Sequence, residues 1–496
     1  MRILLIDPYV AGGVSLSSSL GWLSASVRSE GHEVFVLDLN SRGIPNYQDI
    51  LPNFLARYVP DMVGITVMCT TYATALQMVE HLREYFRGYI VLGGAQMSFE
   101  RENALKDSER TDFVVVGEGE ETLVELMDHL ENSEGLKDIE GLIYRENGEV
   151  KTNSPRRPIA DLNKLPFPDY RLFGLKQASP IYSYRISTSR GCPFRCVFCN
   201  PHNMQAKWRS RDFGLAIEEL KFAKTQFGVG RFDICEPVFN LTSERVIEFC
   251  ELLLKEKINM PWTCRSGLRA DRITDEMIKL MKRAGFYNVK IGVETLAPTV
   301  FPNVKKGETI EDIVRAVEIV KRNGLRISGS FIIGLPGSTY KTDMESFKHA
   351  QKLGFVESLW FFLIPYPGTP AYHWVLEHGT MYYDYKRAHQ HYIEHITKDE
   401  QLRVAFETQD YPLTDRTRMM EKILWTLKQT GIGMQNLTLW QKAWRTGYNL
   451  VRYNPWDVVG NLAYIGHGFV SQLKRQRKPE ETQALEFIAL DEVISR

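Results

Sequence analysis

The sequence predicts an α/β protein: two successive runs of alternating strands and helices, followed by a mostly helical region. Three observations predict it. Residues 1–135 alternate short apolar runs with helical patterns, residues 183–375 do so again, and residues 376–496 read as helical and rich in aromatic side chains. Residues 136–182, between the two runs, read as a hairpin and a proline-marked connector.

In the first run, strands are expected at 3–6, 34–37, 62–67, 89–92 and 113–116. Strands that alternate with helices form a parallel sheet covered on both faces, and ligands of such sheets sit beyond the carboxyl ends of the strands. The residues at those ends are Asp7, Pro8 and Tyr9; Met68, Cys69, Thr70 and Thr71; Gly93, Gly94, Ala95 and Gln96; and Gly117, Glu118, Gly119 and Glu120. Glycine there lets backbone approach a flat ligand. In the connector, 141–151 reads as a hairpin with Asn147–Gly148 as a two-residue turn. Pro155, Pro158, Pro166 and Pro168 then mark extended chain.

In the second run, strands are expected at 182–188, 231–235, 260–264, 288–292, 327–333 and 359–363. Helices are expected at 214–227, 243–257, 275–284, 309–322 and 340–352, making about six strand–helix pairs. The last region holds Met381, Tyr382, Tyr383 and Tyr385, then Trp440 and Trp444. Its apolar segment 453–470 meets a basic run at 474–478. That segment reads as a helix packed on the rest of the protein or, alternatively, as one lying on a membrane surface. The tail after 478 is acidic.

Bulk properties narrow the function. Lys+Arg and Asp+Glu are both 61, so the net charge is zero, which argues against nucleic acid as the main partner. The cysteines number 7, an odd count with one tight group, which suits a reducing cytosol better than a disulfide framework. Asp7 interrupts the first apolar run too early for a secretory leader, and no run of about 18 apolar residues predicts a spanning helix.

The tight group is Cys192, Cys196 and Cys199, spaced C-x3-C-x2-C in a run from Arg190 to Asn200. Thiolates are the usual ligands of four-iron four-sulfur clusters. Three of them leave one iron open for a small molecule to chelate, the arrangement that reduces S-adenosylmethionine (SAM). Zinc is the alternative, with His202 or Cys235 as a fourth ligand.

The spacing, the aromatic Phe198 before the third cysteine and the strand-like 182–188 resemble radical SAM enzymes. Residues 1–375 as a whole resemble the members that carry a cobalamin-binding domain. The resemblance implies a Rossmann-like cobalamin-binding-type domain, then a partial (β/α)6 barrel with its chemistry at the C-terminal strand ends. It implies a 4Fe-4S cluster on Cys192, Cys196 and Cys199, with SAM cleaved to a 5′-deoxyadenosyl radical. It places Phe198 and the turn at Gly334 near adenine, Glu294 on the ribose hydroxyls and Arg265 or Arg269 on the SAM carboxylate, for which an Arg fork is suited. A salt bridge is the other reading of those arginines. Pro365 to Pro370 resemble the segment that closes the site. Cobalamin would meet Tyr9, Thr70, Gly93, Gly94, Gln96, Gly117 and Glu118.

Two departures from the pattern stand out. The D-x-H-x-x-G motif whose histidine ligates cobalt is absent, so either cobalamin binds with the lower position of cobalt empty or water-filled, or the domain is a degenerate one that no longer binds it. Many relatives carry two adjacent aspartates after the second barrel strand; here Cys235, Glu236 and Pro237 stand there. Cys235 reads as a small buried residue or as a thiol of the site. The resemblance implies methylation of an unactivated carbon of a biosynthetic intermediate, small or lipid-like, with electrons from an external flavodoxin- or ferredoxin-type donor. Cyclisation, oxidation or carbon coupling on a tetrapyrrole or lipid is the alternative, and a non-catalytic metal or cobalamin sensor a third reading.

Overall fold

In the computed structural model, residues 1–10, 16–44, 46–173, 183–199, 207–382 and 404–430 are described. The first run folds into strands β1 (Arg2–Asp7), β2 (Glu33–Asp38), β3 (Met62–Thr66), β4 (Tyr89–Gly93) and β5 (Phe113–Val115). They pair in parallel in the order β2-β1-β3-β4-β5. Successive side chains along a strand leave on opposite faces. Ile3, Leu5, Val91 and Val115 therefore pack beneath the helices Ser18–Ser29 and Gly119–Glu131. Leu4, Ile6, Val63, Ile65 and Leu92 pack beneath Leu51–Tyr58 and Tyr72–Tyr85. Both faces are covered, which is why these strands read as near-continuous apolar runs rather than alternating ones.

The hairpin forms where Asn147–Gly148 places it: β6 (Leu142–Glu146) and β7 (Glu149–Thr152) are antiparallel, and both turn residues have positive φ, 52° and 84°. That is the conformation a type I′ turn requires. The hairpin is not a separate connector, since β6 pairs with β5 and extends the first sheet to seven strands.

The second run gives β8 (Tyr184–Ile186), the short antiparallel pair β9 (Ser189–Arg190) and β10 (Arg209–Ser210), then β11 (Phe232–Ile234), β12 (Trp262–Cys264), β13 (Asn288–Glu294), β14 (Arg326–Ile333) and β15 (Glu357–Phe362). The β9–β10 pair has no counterpart in the periodicity. The other six strands form two parallel three-stranded sheets, β8-β11-β12 and β13-β14-β15, linked by a bridge between Trp262 and Phe286. The result is a partial barrel. Its outward side chains, among them Tyr184, Phe232, Trp262, Ile291, Phe331 and Trp360, share one core with the upper face of the first sheet. The following helices start at Asp212, Thr242, Thr274, Thr309, Thr339 and Thr369, each of which accepts a hydrogen bond from a backbone N–H of the first turn. Those caps fix where each helix begins and so where each strand-end loop stops.

Beyond the barrel, the helix Pro370–His378 leads to β16 (Gly379–Met381), which pairs antiparallel with β17 (Phe406–Thr408). The helix Leu413–Thr430 follows. The region expected to be helical thus also holds a small strand pair. The apolar and basic stretch at 453–478, proposed from sequence for packing or membrane contact, lies outside the described residues. No helix among the described residues is long and apolar enough to cross a membrane.

Candidate functional site between the first sheet and the barrel mouth

A cavity of about 320 Å³ opens between the carboxyl ends of the first sheet and the barrel. Its floor is apolar, with Leu5, Leu20, Ile65, Val91, Val115 and Leu123; Ser18, Ser19, Thr66 and Ser98 add hydroxyls. Glycine shapes its edge. Gly94 has φ 98°, and a Cβ there would come within 2.9 Å of Thr66 Oγ1 and the Val67 nitrogen. A Cβ on Gly64 would meet Leu5 Cδ2 at 2.8 Å. On the far side the lining passes to the barrel: Ser187, Ser189, Arg190, Cys235 and Pro237. Cavities with an apolar bed and a few polar groups are typical of cofactor sites.

Four of the seven residues expected to meet cobalamin line this cavity, namely Gly93, Gly94, Gly117 and Glu118. Tyr9, Thr70 and Gln96 are not in the lining. Gln96 is buried and turned inward, its amide donating to Glu100 Oε1 at 2.8 Å. The first helix was missed from sequence as a wall of the cavity. The signal was the serine run Ser17, Ser18 and Ser19 ahead of Leu20, small polar residues at an otherwise apolar helix start.

Glu118 is engaged by the protein itself. Its carboxylate accepts from both Nη atoms of Arg209, at 2.9 and 2.8 Å, and from the Ile159 N–H at 2.7 Å, with Arg190 at 3.3 Å. Burial pushes its pKa up, but the Arg209 hydrogen bonds and the charges of Arg190 and Arg209 outweigh burial and hold it below the usual carboxylate value.

The cysteine loop follows β9. Cys192 and Cys196 are half-buried and Cys199 exposed, and all three are free thiols. Val197 pins the loop at both sides, its N–H donating to the Val304 carbonyl and its carbonyl accepting from Ala371, each at 3.0 Å. Burial pushes the Cys196 thiol up to about 11, while Lys306 and Arg269 pull it down. Among the described residues no three His, Cys, Asp or Glu side chains converge closely enough for a single metal ion. A cluster of several irons spans more space, so its ligands need not converge on one point.

Below the loop, Glu236 fixes the strand that feeds it. Its buried carboxylate accepts from the backbone N–H groups of Thr188 and Ser189 and from both their hydroxyls. The glutamate that replaces a family aspartate is therefore a brace. Glu236→Gln exchanges one acceptor for a donor facing N–H groups, and is expected to cost about 3 kcal/mol, read by urea unfolding.

Residues 186–350 match the radical SAM superfamily and residues 10–127 match the B12 binding domain. An uncharacterized methyltransferase of Pyrococcus horikoshii is 31% identical over 396 residues, which is 77% of this chain and 84% of the relative. The chain belongs to the cobalamin-binding radical SAM family. The anaerobic magnesium-protoporphyrin IX monomethyl ester cyclase of Rubrivivax gelatinosus is 27% identical over 386 residues, covering 74% of this chain and 68% of the relative. In fold, the chain is like the radical S-adenosylmethionine methyltransferase TsrM from Kitasatospora setae, with a TM-score of 0.68, 18% identity and coverage of 86% and 88%.

As a radical SAM enzyme the protein uses a 4Fe-4S cluster and SAM, and its first domain is of the kind that binds cobalamin. The residues present fit these groups. The loop offers three thiols, with the cations Lys306 and Arg269 near that of Cys196, which suits an anionic thiolate cluster. The cavity offers an apolar bed, glycine edges and hydroxyls.

The residues expected around SAM divide between the strand ends. Phe198 packs against the buried cluster of Ala297, Val300, Val304 and Leu335, the last of which follows the Gly334 turn. Gly334 has φ 82° and gives its N–H to Asp343 Oδ2 at 3.0 Å. Glu294 ends β13 at a bulge and is one of the few non-glycine residues with positive φ, 65°. It is buried, with Lys306 Nζ at 3.6 Å, and burial pushes its carboxyl above the usual value. A strained, buried acid at a strand end is the kind of outlier that marks functional sites. Arg265 is half-exposed at the rim and pairs with Asp233 of β11 at 3.6 Å. Arg269 is buried, pairs with Asp271 and Glu308, and lies over the Phe194 ring of the cysteine loop at 3.5 Å. Arg269 is thus committed to holding that loop, which leaves Arg265 with the freer guanidinium. Cys235 is half-buried in the cavity wall, and burial pushes its thiol up to about 11, so it stands there as a neutral group.

Proposed function

We propose that the protein is a cobalamin-dependent radical SAM methyltransferase that acts on an unactivated carbon of a small or lipid-like biosynthetic intermediate. The observation that carries this reading is the shared cavity: one lining joins the carboxyl ends of the B12-type sheet to the barrel face from which the cysteine loop springs. Cys192, Cys196 and Cys199 hold the cluster, Phe198, Glu294, Gly334 and Arg265 hold SAM, and the cavity holds cobalamin. The cluster and SAM together supply a carbon radical able to take hydrogen from a C–H bond, and cobalamin carries a methyl group; such chemistry belongs to cofactors. The chain's part is orientation and exclusion of water. The electron comes from outside the chain, from a flavodoxin- or ferredoxin-type donor, in the cytosol, where the free thiols described here persist.

The Rubrivivax relative bears a cyclase name, so ring formation without methyl transfer is the second reading. Incubation of the anaerobically reconstituted enzyme with methyl-labelled SAM, hydroxocobalamin, a reductant and a candidate substrate separates the two. Methyl transfer predicts both S-adenosylhomocysteine, left when SAM gives up its methyl, and 5′-deoxyadenosine. Release of 5′-deoxyadenosine alone moves the assignment to the cyclase reading, and release of neither overturns both.

A further inference from the structure

Four charged side chains close the boundary between the B12-type sheet and the barrel. Glu118 and Glu120 stand where β5 gives way to the helix Gly119–Glu131. Arg190 ends β9, two positions before Cys192, and Arg209 begins β10. Arg190 Nη2 donates to Glu120 at 2.6 Å while Nη1 lies 3.3 Å from Glu118. Arg209 holds Glu118 through two hydrogen bonds and also donates to the Ile159 carbonyl of the connector. The Arg190 guanidinium also sits over Trp22, at 5.6 Å from the ring centre. Trp22, Glu118, Glu120 and Arg190 all line the cavity.

Buried charges are tolerated when their partners are complete, and removing one partner leaves an uncompensated charge. A shift of the cysteine loop relative to the sheet would break Arg190 away from both carboxylates at once. Whatever fills the cavity meets Trp22, Glu118, Glu120 and Arg190, and Arg190 stands two positions before Cys192, so cavity and loop bear on the same ion-paired group. Two sites that bear on one element are coupled, and coupled reciprocally.

We propose that Arg190, gripped by Glu118 and Glu120, is a positioning residue that ties the geometry of the cluster loop to occupation of the cobalamin cavity. The inference rests on the functional reading above. It is tested on the full-length protein by titrating hydroxocobalamin, followed by visible absorbance, with the cluster assembled and without it, and by recording the EPR spectrum of the reduced cluster with and without hydroxocobalamin. In the unaltered protein, cluster assembly changes hydroxocobalamin affinity by about tenfold, within the usual range of such coupling, and the cobalamin, which the same reductant takes to EPR-active cob(II)alamin, shifts the g values of the cluster's own signal. Arg190→Gln reduces the affinity change to less than about twofold and removes the spectral response, while iron and cobalamin still load. Arg190→Lys keeps part of both. If Arg190→Gln does not yield soluble protein, Glu120→Gln carries the same expectation, because it leaves the Glu118–Arg209 pair intact. Full coupling in these variants, or none in the unaltered protein with both cofactors bound, overturns the inference. Failure of the unaltered protein to bind hydroxocobalamin overturns the functional reading and this inference with it.

Discussion

Cys196→Ala is expected to abolish release of 5′-deoxyadenosine from SAM, a loss of at least about 10⁴-fold in rate. Cys196 is the middle ligand of the proposed trio and sits on the turn in which the Cys199 N–H donates to its carbonyl at 3.1 Å. Burial raises its thiol to about 11 and Lys306 and Arg269 offset part of that rise; Lys306 in turn is held by Glu294 and Glu308 at 3.6 and 3.1 Å. Without the sulfur those cations face no thiolate, and two remaining cysteines, one of them exposed, do not retain a cluster that three normally hold. Iron and labile sulfide, about four of each per chain in the loaded protein, fall towards zero, and the broad visible absorption of the cluster goes with them. Cys250→Ala is the comparison. Cys250 is buried in the helix Ser243–Lys255, so its loss leaves iron content unchanged. Retention of full iron by Cys196→Ala, or zinc in place of iron in the unaltered protein, would defeat the assignment of the loop.

The contrast between what the sequence displayed and what it concealed has a physical pattern. All five parallel strands of the first sheet were legible because buried parallel strands are continuous apolar runs of strand length, and the six of the barrel because shorter apolar stretches alternate regularly with helical patterns. The hairpin was legible because Asn147–Gly148 encodes positive φ at both positions. The β9–β10 pair was not, because Ser189, Arg190, Arg209 and Ser210 are polar; their pairing is imposed by the buried carboxylates of Glu236 and Glu118, which come from other elements. The same holds for the site. Gly93, Gly94 and Gly117 could be read as cavity edges, since glycine at a strand end has a conformational reason to be there. The role of Glu118 could not, because its neighbours Arg190 and Arg209 are distant in sequence and a carboxylate beside glycines reads equally well as a ligand contact. Gln96 failed as a cavity residue for a related reason: its direction is set by Glu100, one turn on. Backbone conformation is local and leaves a trace in the sequence, whereas the direction of a polar side chain is decided by whichever partner folding delivers.

Gly334→Ala should be the most damaging single-methyl change on the SAM side of the barrel, with a cost of about 3–5 kcal/mol. Two separate causes add. The residue has φ 82°, where a non-glycine residue carries roughly 1–3 kcal/mol of strain. The new methyl would also land on Nη1 of Arg416, which has no room to yield. Arg416 is fully buried, stacked at 4.1 Å on Phe406 and 4.7 Å on Tyr411, and its Nε donates to the Tyr411 carbonyl at 2.9 Å. Burial pushes its pKa down to about 10, a sign of how little water reaches it. Moving Arg416 aside also disturbs Asp343, which accepts the Gly334 N–H and whose own carboxyl burial raises to about 6. The turn from Gly334 carries Leu335, a member of the buried cluster on which Phe198 packs; with Phe198 and Gly334 at SAM as proposed, KM for SAM is expected to rise, and the urea midpoint to fall. Because part of the cost is the collision, Arg416→Met should relieve it, making the double variant more stable than the sum of the two single losses by about 1–2 kcal/mol. Strict additivity would place the whole effect in the backbone of Gly334, and a loss under about 1 kcal/mol for Gly334→Ala alone would show that the turn can open without cost.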